Sequence, residues 1–335
     1  MNDNPNFIAP GDKFAMLAAE VAATGMPSVP TKVGRLWVPG QPIVNLEGHW
    51  LEWLGSLRSE DLQDATLFVV DKVSSKTPSI LDGESDQLMN RTSRFYTALM
   101  LTGRFAVPRD PMLITGGNDK GEIDIRQVTS LDPQPYVPGL DLHDVTIGNV
   151  TRAALLAESF ETMAGLSGFA RLSRILGTYV EGRCRNEPLD QLHQFCRCIE
   201  GLIIPGPGES RARFQSRTQL FIGPKHQQLM VTLYENRSAV EHLNDHLLVL
   251  EAGRDARIEI LRQSIIAENI ARQCLARIYE TPAVWPHFQT DDALKAFWKL
   301  SETERQNIWG APFDPLAVLA DFDPNSIRNH ELGLK

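Results

Sequence analysis

The chain has 335 residues, 42% of them hydrophobic and 22% charged, which is enough to bury a substantial core and, on length alone, to form two domains. Its four cysteines are too few for a disulfide scaffold, and no apolar run approaches the roughly 18–20 residues that span a bilayer. The net charge of −9 is uneven: residues 1–166 hold 13 Lys/Arg against 21 Asp/Glu, residues 167–280 hold 15 against 13, and residues 281–335 hold 5 against 8.

The opening MNDNPNFIAPGDK lacks the basic start and apolar core of a signal peptide, so a soluble cytoplasmic protein without membrane partners is expected. KFAMLAAEVAA (13–23) predicts a short helix, followed by the Pro-punctuated MPSVPTK. From about 33 to 130 short β-type runs dominate: GRLWV, QPIVNLEGHWLEWL, DATLFVVDKV, DPMLIT and GEIDIRQV, separated by turn signals such as PGQP and GGNDKG. GGNDKG between two strand-like runs predicts a hairpin. One helix, QLMNRTSRFYTALMLTG, interrupts them and closes at Gly103, while DKVSSKTPSILDGESD predicts a long exposed loop. PQPYVPGLD (133–141), with three prolines and a glycine, marks the domain boundary. Helical patterns follow in TIGNVTRAALLAESFETMAG, GFARLSRILGTYVEG and PLDQLHQFCRCIEGLII, then at 227–250, 256–280, 290–299 and 302–309, where Ser301 and Glu304 have capping-box spacing. The expected architecture is α+β: a β-rich domain over 1–140, then an all-α helical bundle over 141–335 that includes a C-terminal helical extension.

Chemistry concentrates in YENRSAVEH (234–242). On a wheel of about 100° per residue, Leu229, Leu233, Val240, Leu243, Leu247 and Leu250 form one stripe, the expected buried face. His242 falls nearly opposite, with Ser238 and His246 each one turn away, and Arg237 lies on the flank. His242 therefore faces water, another domain or another chain. The plain alternative is an ordinary i,i+4 pair of Arg237 with Glu241 beside a solvated histidine.

Tyr234, Arg237, Ser238 and His242, in that order, resemble the R-x4–6-H mark of the HEPN superfamily, small helical bundles named for nucleotide binding in higher eukaryotes and prokaryotes. FCRCIEGLI resembles the earlier family helix with an acidic residue, here Glu200, and a loop and an Arg-containing segment, RARFQSRTQLFIG, lie between, as in the family. The resemblance covers roughly 167–280. It implies a metal-independent endoribonuclease without cofactor, acting as a homodimer in which two motifs line one cleft. Residue by residue, it implies Arg237 and His242 as the catalytic pair with Ser238 assisting, and Glu200 and Tyr234 in support. Glu200 has an alternative partner in Arg197 at i,i+3. The basic residues of 167–280 are 14 Arg and one Lys, and Arg suits bidentate phosphate contacts; Arg197, Arg211, Arg213 and Arg217 are the candidate RNA contacts. The implied products are a 2′,3′-cyclic phosphate and a 5′-hydroxyl, in a defence or stress role, with an N-terminal domain that would sense, recruit or restrain and could bind a protein partner. The competing expectation is a non-catalytic HEPN-like module for nucleotide binding, protein interaction or dimerisation.

Metal chemistry has weaker support. His242 and His246 are spaced to share a cation, but HLNDH has Leu243 where HExxH has its glutamate. Cys196 and Cys198 lack a second cysteine pair. GPGES (206–210) lacks the Lys-Ser/Thr ending of a phosphate loop and reads as a connection. His49 and the tryptophans Trp37, Trp50 and Trp53 show no catalytic pattern.

Overall fold

The computed structural model describes residues 7–42, 48–75, 82–204, 208–242 and 252–334. The chain forms two compact units, one running to Tyr136 and resuming over Leu142–Glu161, the other comprising Val137–Asp141 and the chain from Thr162 onward. The fold class is α+β, as expected, with an antiparallel sheet in the first part and helices in the second.

The sheet unit uses β1 (Asp12–Ala19), β3 (Thr31–Val33), β4 (Leu36–Val38), β5 (Leu67–Ser74), β6 (Met112–Asp119) and β7 (Glu122–Ser130), in the order β3-β4-β5-β1-β6-β7. Every neighbouring pair is antiparallel. A short parallel ladder joins β2 (Ala23–Thr24) to β8 (Val145–Thr146).

The helix expected from KFAMLAAEVAA is instead β1, whose eight residues are all buried. Alanine favours helix intrinsically, but a strand paired on both edges and covered on both faces has no polar side to display, so its sequence lacks alternation. Phe14, Met16 and Ala18 join Phe68, Val70 and Ile114 on one face. On the other face Ala15 packs with Leu88, from α3 (Gly83–Thr102).

The run GHWLEWL, expected as strand, is α1 (Gly48–Leu54), and α2 (Ser56–Asp64) follows it directly. Trp50 and Leu54, one helical turn apart, both meet the core, and Trp50 Nε1 donates to the Ile123 carbonyl at 3.1 Å. The expected long loop is also shorter: Asp71–Ser74 belong to β5, and Gly83–Asp86 open α3 with Asp82 as N-cap. Residues 76–81 of that stretch lie outside the described residues.

The GGNDKG hairpin forms, its turn being Lys120 and Gly121, both at positive φ (56° and 105°), the geometry of a two-residue turn. Gly116 sits at a bulge where a Cβ would collide with the Asp124 carbonyl. Expected in the second domain, α4 (Ile147–Ala164) belongs with the sheet unit as far as Glu161. Its Ala154, Ala157, Glu158 and Glu161 border a small cavity shared with Arg35, Asp71 and Arg91.

The helical unit contains α5 (Ala170–Arg183), α6 (Pro188–Ile203), α7 (Ser210–Arg217), α8 (Gln219–Ile222), α9 (Gln227–Glu241) and α10 (Arg254–Glu280). It also contains α11 (Trp285–Phe288), α12 (Asp291–Phe297) and α13 (Glu302–Trp309). The Arg-containing segment RARFQSRTQLFIG forms two helices, α7 and α8. The central helix is α6, packed against α5, α9 and α10. At the core of the bundle Glu268 of α10 accepts the Tyr179 hydroxyl at 2.7 Å and Arg183 Nη1 at 3.2 Å. The C-terminal helices close the bundle, as Trp298 Nε1 donates to the Leu202 carbonyl at 3.0 Å. The capping box expected at Ser301 and Glu304 is formed. Among the described residues no helix is long and apolar enough to cross a membrane.

Candidate functional site

The helix carrying the motif, α9, ends at Glu241, with His242 as its C-cap. Of the expected buried stripe, Leu233 is fully buried while Leu229 and Val240 are half-buried; Met230 and Val231 complete the packed face. Leu243, Leu247 and Leu250, and with them His246, lie outside the described residues. His242 is exposed, so it is not a core histidine.

Arg237 turns toward α6. Its Nη2 lies 2.9 Å from Glu200 Oε2 and 3.5 Å from Glu241 Oε2. The partners are unequal, with side-chain exposures of 14% for Glu200 and 43% for Glu241. Glu200 therefore chooses Arg237, across the helix interface. Arg197, its alternative partner, donates to Gln194 at 3.2 Å.

A fourth group enters that sequence reasoning missed. His193 Nε2 lies 2.7 Å from the same Glu241 oxygen that faces Arg237. The signal was present in α6: His193 and Glu200 stand seven residues apart, two turns along one helix face, but neither position belongs to the R-x4–6-H spacing.

Electrostatics separate the two carboxylates. Burial pushes Glu200 above the ordinary carboxylate value, opposed by Arg237. The hydrogen bond from His193, and then the Arg237 charge, hold Glu241 below it.

The remaining expected residues are placed as follows. Ser238 meets His242 through the main chain, its carbonyl accepting the His242 N–H at 3.1 Å. Tyr234 packs its ring on Phe214 at 5.6 Å between centroids, joining α9 to α7. Arg211 pairs with Glu235, and Arg213 with Glu209. Arg217 donates to the Ile203 and Ile204 carbonyls and lies over the Trp298 ring at 5.2 Å. It satisfies carbonyls that the end of α6 leaves without helical partners, so its guanidinium is held by the fold.

The cysteines behave as core residues. Cys196 and Cys198 are buried against the Leu233 and Ile175 carbonyls, and burial pushes both thiols up. Among the described residues no group of three or more His, Cys, Asp or Glu side chains could hold a metal ion. A cavity of about 340 Å³ in the helical unit, lined by Leu189, Arg257, Ile260 and His330 among others, contains none of the expected site residues.

Comparison of the chain with protein-family models, curated proteins and solved structures gave no match.

Proposed function

We propose that the helical unit is a HEPN-type endoribonuclease of the cytoplasm, working as a homodimer without a metal or other cofactor. The observation that carries this reading is the arrangement of α9: Arg237 is held by Glu200 across the α6–α9 interface, while His242, five residues on, stands exposed at the helix end. Such an arrangement gives each protomer a fixed cation and a free imidazole, so that two copies facing one another would surround one phosphate.

In that cleft the imidazole of His242 takes the proton of a ribose 2′-hydroxyl. The 2′-oxygen attacks phosphorus, the bond to the 5′-oxygen breaks, and the leaving oxygen receives a proton. Arg237 stabilises the extra negative charge on the pentacoordinate phosphate. A 2′,3′-cyclic phosphate and a 5′-hydroxyl result. Arg197 and Arg211 would contact neighbouring phosphates, and the sheet unit would recruit a protein partner in a defence or stress response.

His242→Ala tests the reading. RNA cleavage should fall by about 10²-fold or more, the usual contribution of a positioned acid or base, with the dimer unchanged by sedimentation. A monomeric parent protein, or a variant as active as the parent, removes the shared cleft.

One observation favours a second reading, a non-catalytic module for dimerisation or nucleotide binding: Arg237 already faces two carboxylates. Under that reading the parent protein cleaves no RNA.

A further inference from the structure

We propose that His193 is a positioning residue of this site, setting through Glu241 how much of the Arg237 charge is left for a phosphate; the inference rests on the ribonuclease reading. The geometry is a shared acceptor. One oxygen of Glu241 faces His193 at 2.7 Å and Arg237 at 3.5 Å, so the two donors compete for it. A protonated imidazole makes the stronger, charge-assisted bond and draws Glu241 toward α6. Arg237 then keeps Glu200, 2.9 Å away, as the partner that aims it, and its charge is less screened on the Glu241 side. With neutral His193 the carboxylate is free to lean on Arg237 and competes with an incoming phosphate.

The other charges acting on the pair are Arg197 and Glu200 of α6. Nearby, α10 meets α9 through the neutral Gln263–Asn236 hydrogen bond, and Glu181 of α5 is engaged by Arg185 and Gln194. Arg197 and Arg237 balance Glu200 and Glu241, so the protonation of His193 is what turns the group positive.

The test measures binding of a short RNA carrying 2′-O-methyl groups, which cannot form the cyclic phosphate, to the full chain between pH 5.5 and 8.5. All proteins carry His242→Gln, so that His242 does not titrate, and thermal melts confirm that each is folded. Affinity should rise roughly two- to fivefold as the pH falls, the order expected for one charge at a partly exposed site. His193→Gln should hold the high-pH affinity throughout, and Glu241→Gln the low-pH affinity throughout.

A slope unchanged in both variants overturns the inference, as does a failure to bind at any pH. Cleavage of the all-ribose RNA by the parent chain is scored separately. Cleavage with an unchanged slope sinks the role of His193 and leaves the ribonuclease reading standing. A slope that follows the variants without cleavage sinks the ribonuclease reading and leaves the His193–Glu241 link in place.

Discussion

Two arginines reach carboxylates from neighbouring elements, Arg91 in the sheet unit and Arg237 in the helical unit. Their side chains are similarly covered, 25% and 18% exposed, so burial alone does not tell them apart. Arg91 meets Asp71, a carboxylate 3% exposed on a central strand, with Glu161 beyond at 4.0 Å. Arg237 meets Glu200 and, in addition, the exposed Glu241, which a histidine also holds. The first pair's outer carboxylate, Glu161, is itself mostly covered, at 21% exposure. The second opens onto the exposed Glu241, which His193 also holds, and its helix ends on an exposed imidazole, His242. A charge network thus becomes a candidate site through what its outer partner can do, not through the pair itself.

The comparison breaks first at Asp71. Asp71→Ala strips the buried pair of one member and should cost about 3–5 kcal/mol in denaturant unfolding, with the folded protein's RNA cleavage unaltered; a change below 1 kcal/mol would mean that the network is not buried.

Glu200→Ala sharpens the other side. Its pair is less completely buried, so the stability loss should be smaller, about 1–3 kcal/mol, while RNA cleavage falls because Arg237 loses its aim. Glu200→Gln, which keeps an acceptor oxygen, should recover part of that activity.

Arg217→Ala separates fold from site within the helical unit. Losing the contacts to the Ile203 and Ile204 carbonyls should cost about 1–2 kcal/mol, with RNA affinity unchanged. A loss of RNA binding would return Arg217 to the phosphate contacts.

The smallest effect concerns pH. Glu241 is depressed in the folded chain, so its contribution to stability is present above its unfolded value, about 4.3 for a free glutamate, and fades as the pH falls through the lowered folded value. Glu200 is raised, so the sign reverses: its contribution is complete below the unfolded value and is lost as the pH rises through the folded one. Melts of Glu241→Gln and Glu200→Gln from pH 3 to 7, each against the parent, should diverge in opposite directions.

How much could be read beforehand follows from what each residue has to satisfy locally. The Ser301–Glu304 cap and the Lys120–Gly121 turn are fixed by neighbours within a few positions, and both were legible. β1 was not, because its burial comes from β5, β6 and layers supplied by distant parts of the chain. α1 failed for the opposite reason: a short run rich in Trp and Leu fits a strand as well as a helix until its packing partner is known. At the site, the pairing of Arg237 with Glu200 was among the expected alternatives. His193 escaped notice because its importance lies in Glu241, on another helix.

The central claim is tested most directly by the ends of the RNA fragments that the purified parent chain makes in the presence of a chelator. Mass spectrometry should find 2′,3′-cyclic phosphates and 5′-hydroxyls. Intact RNA, or 3′-hydroxyl and 5′-phosphate ends that appear only when metal is restored, would contradict it.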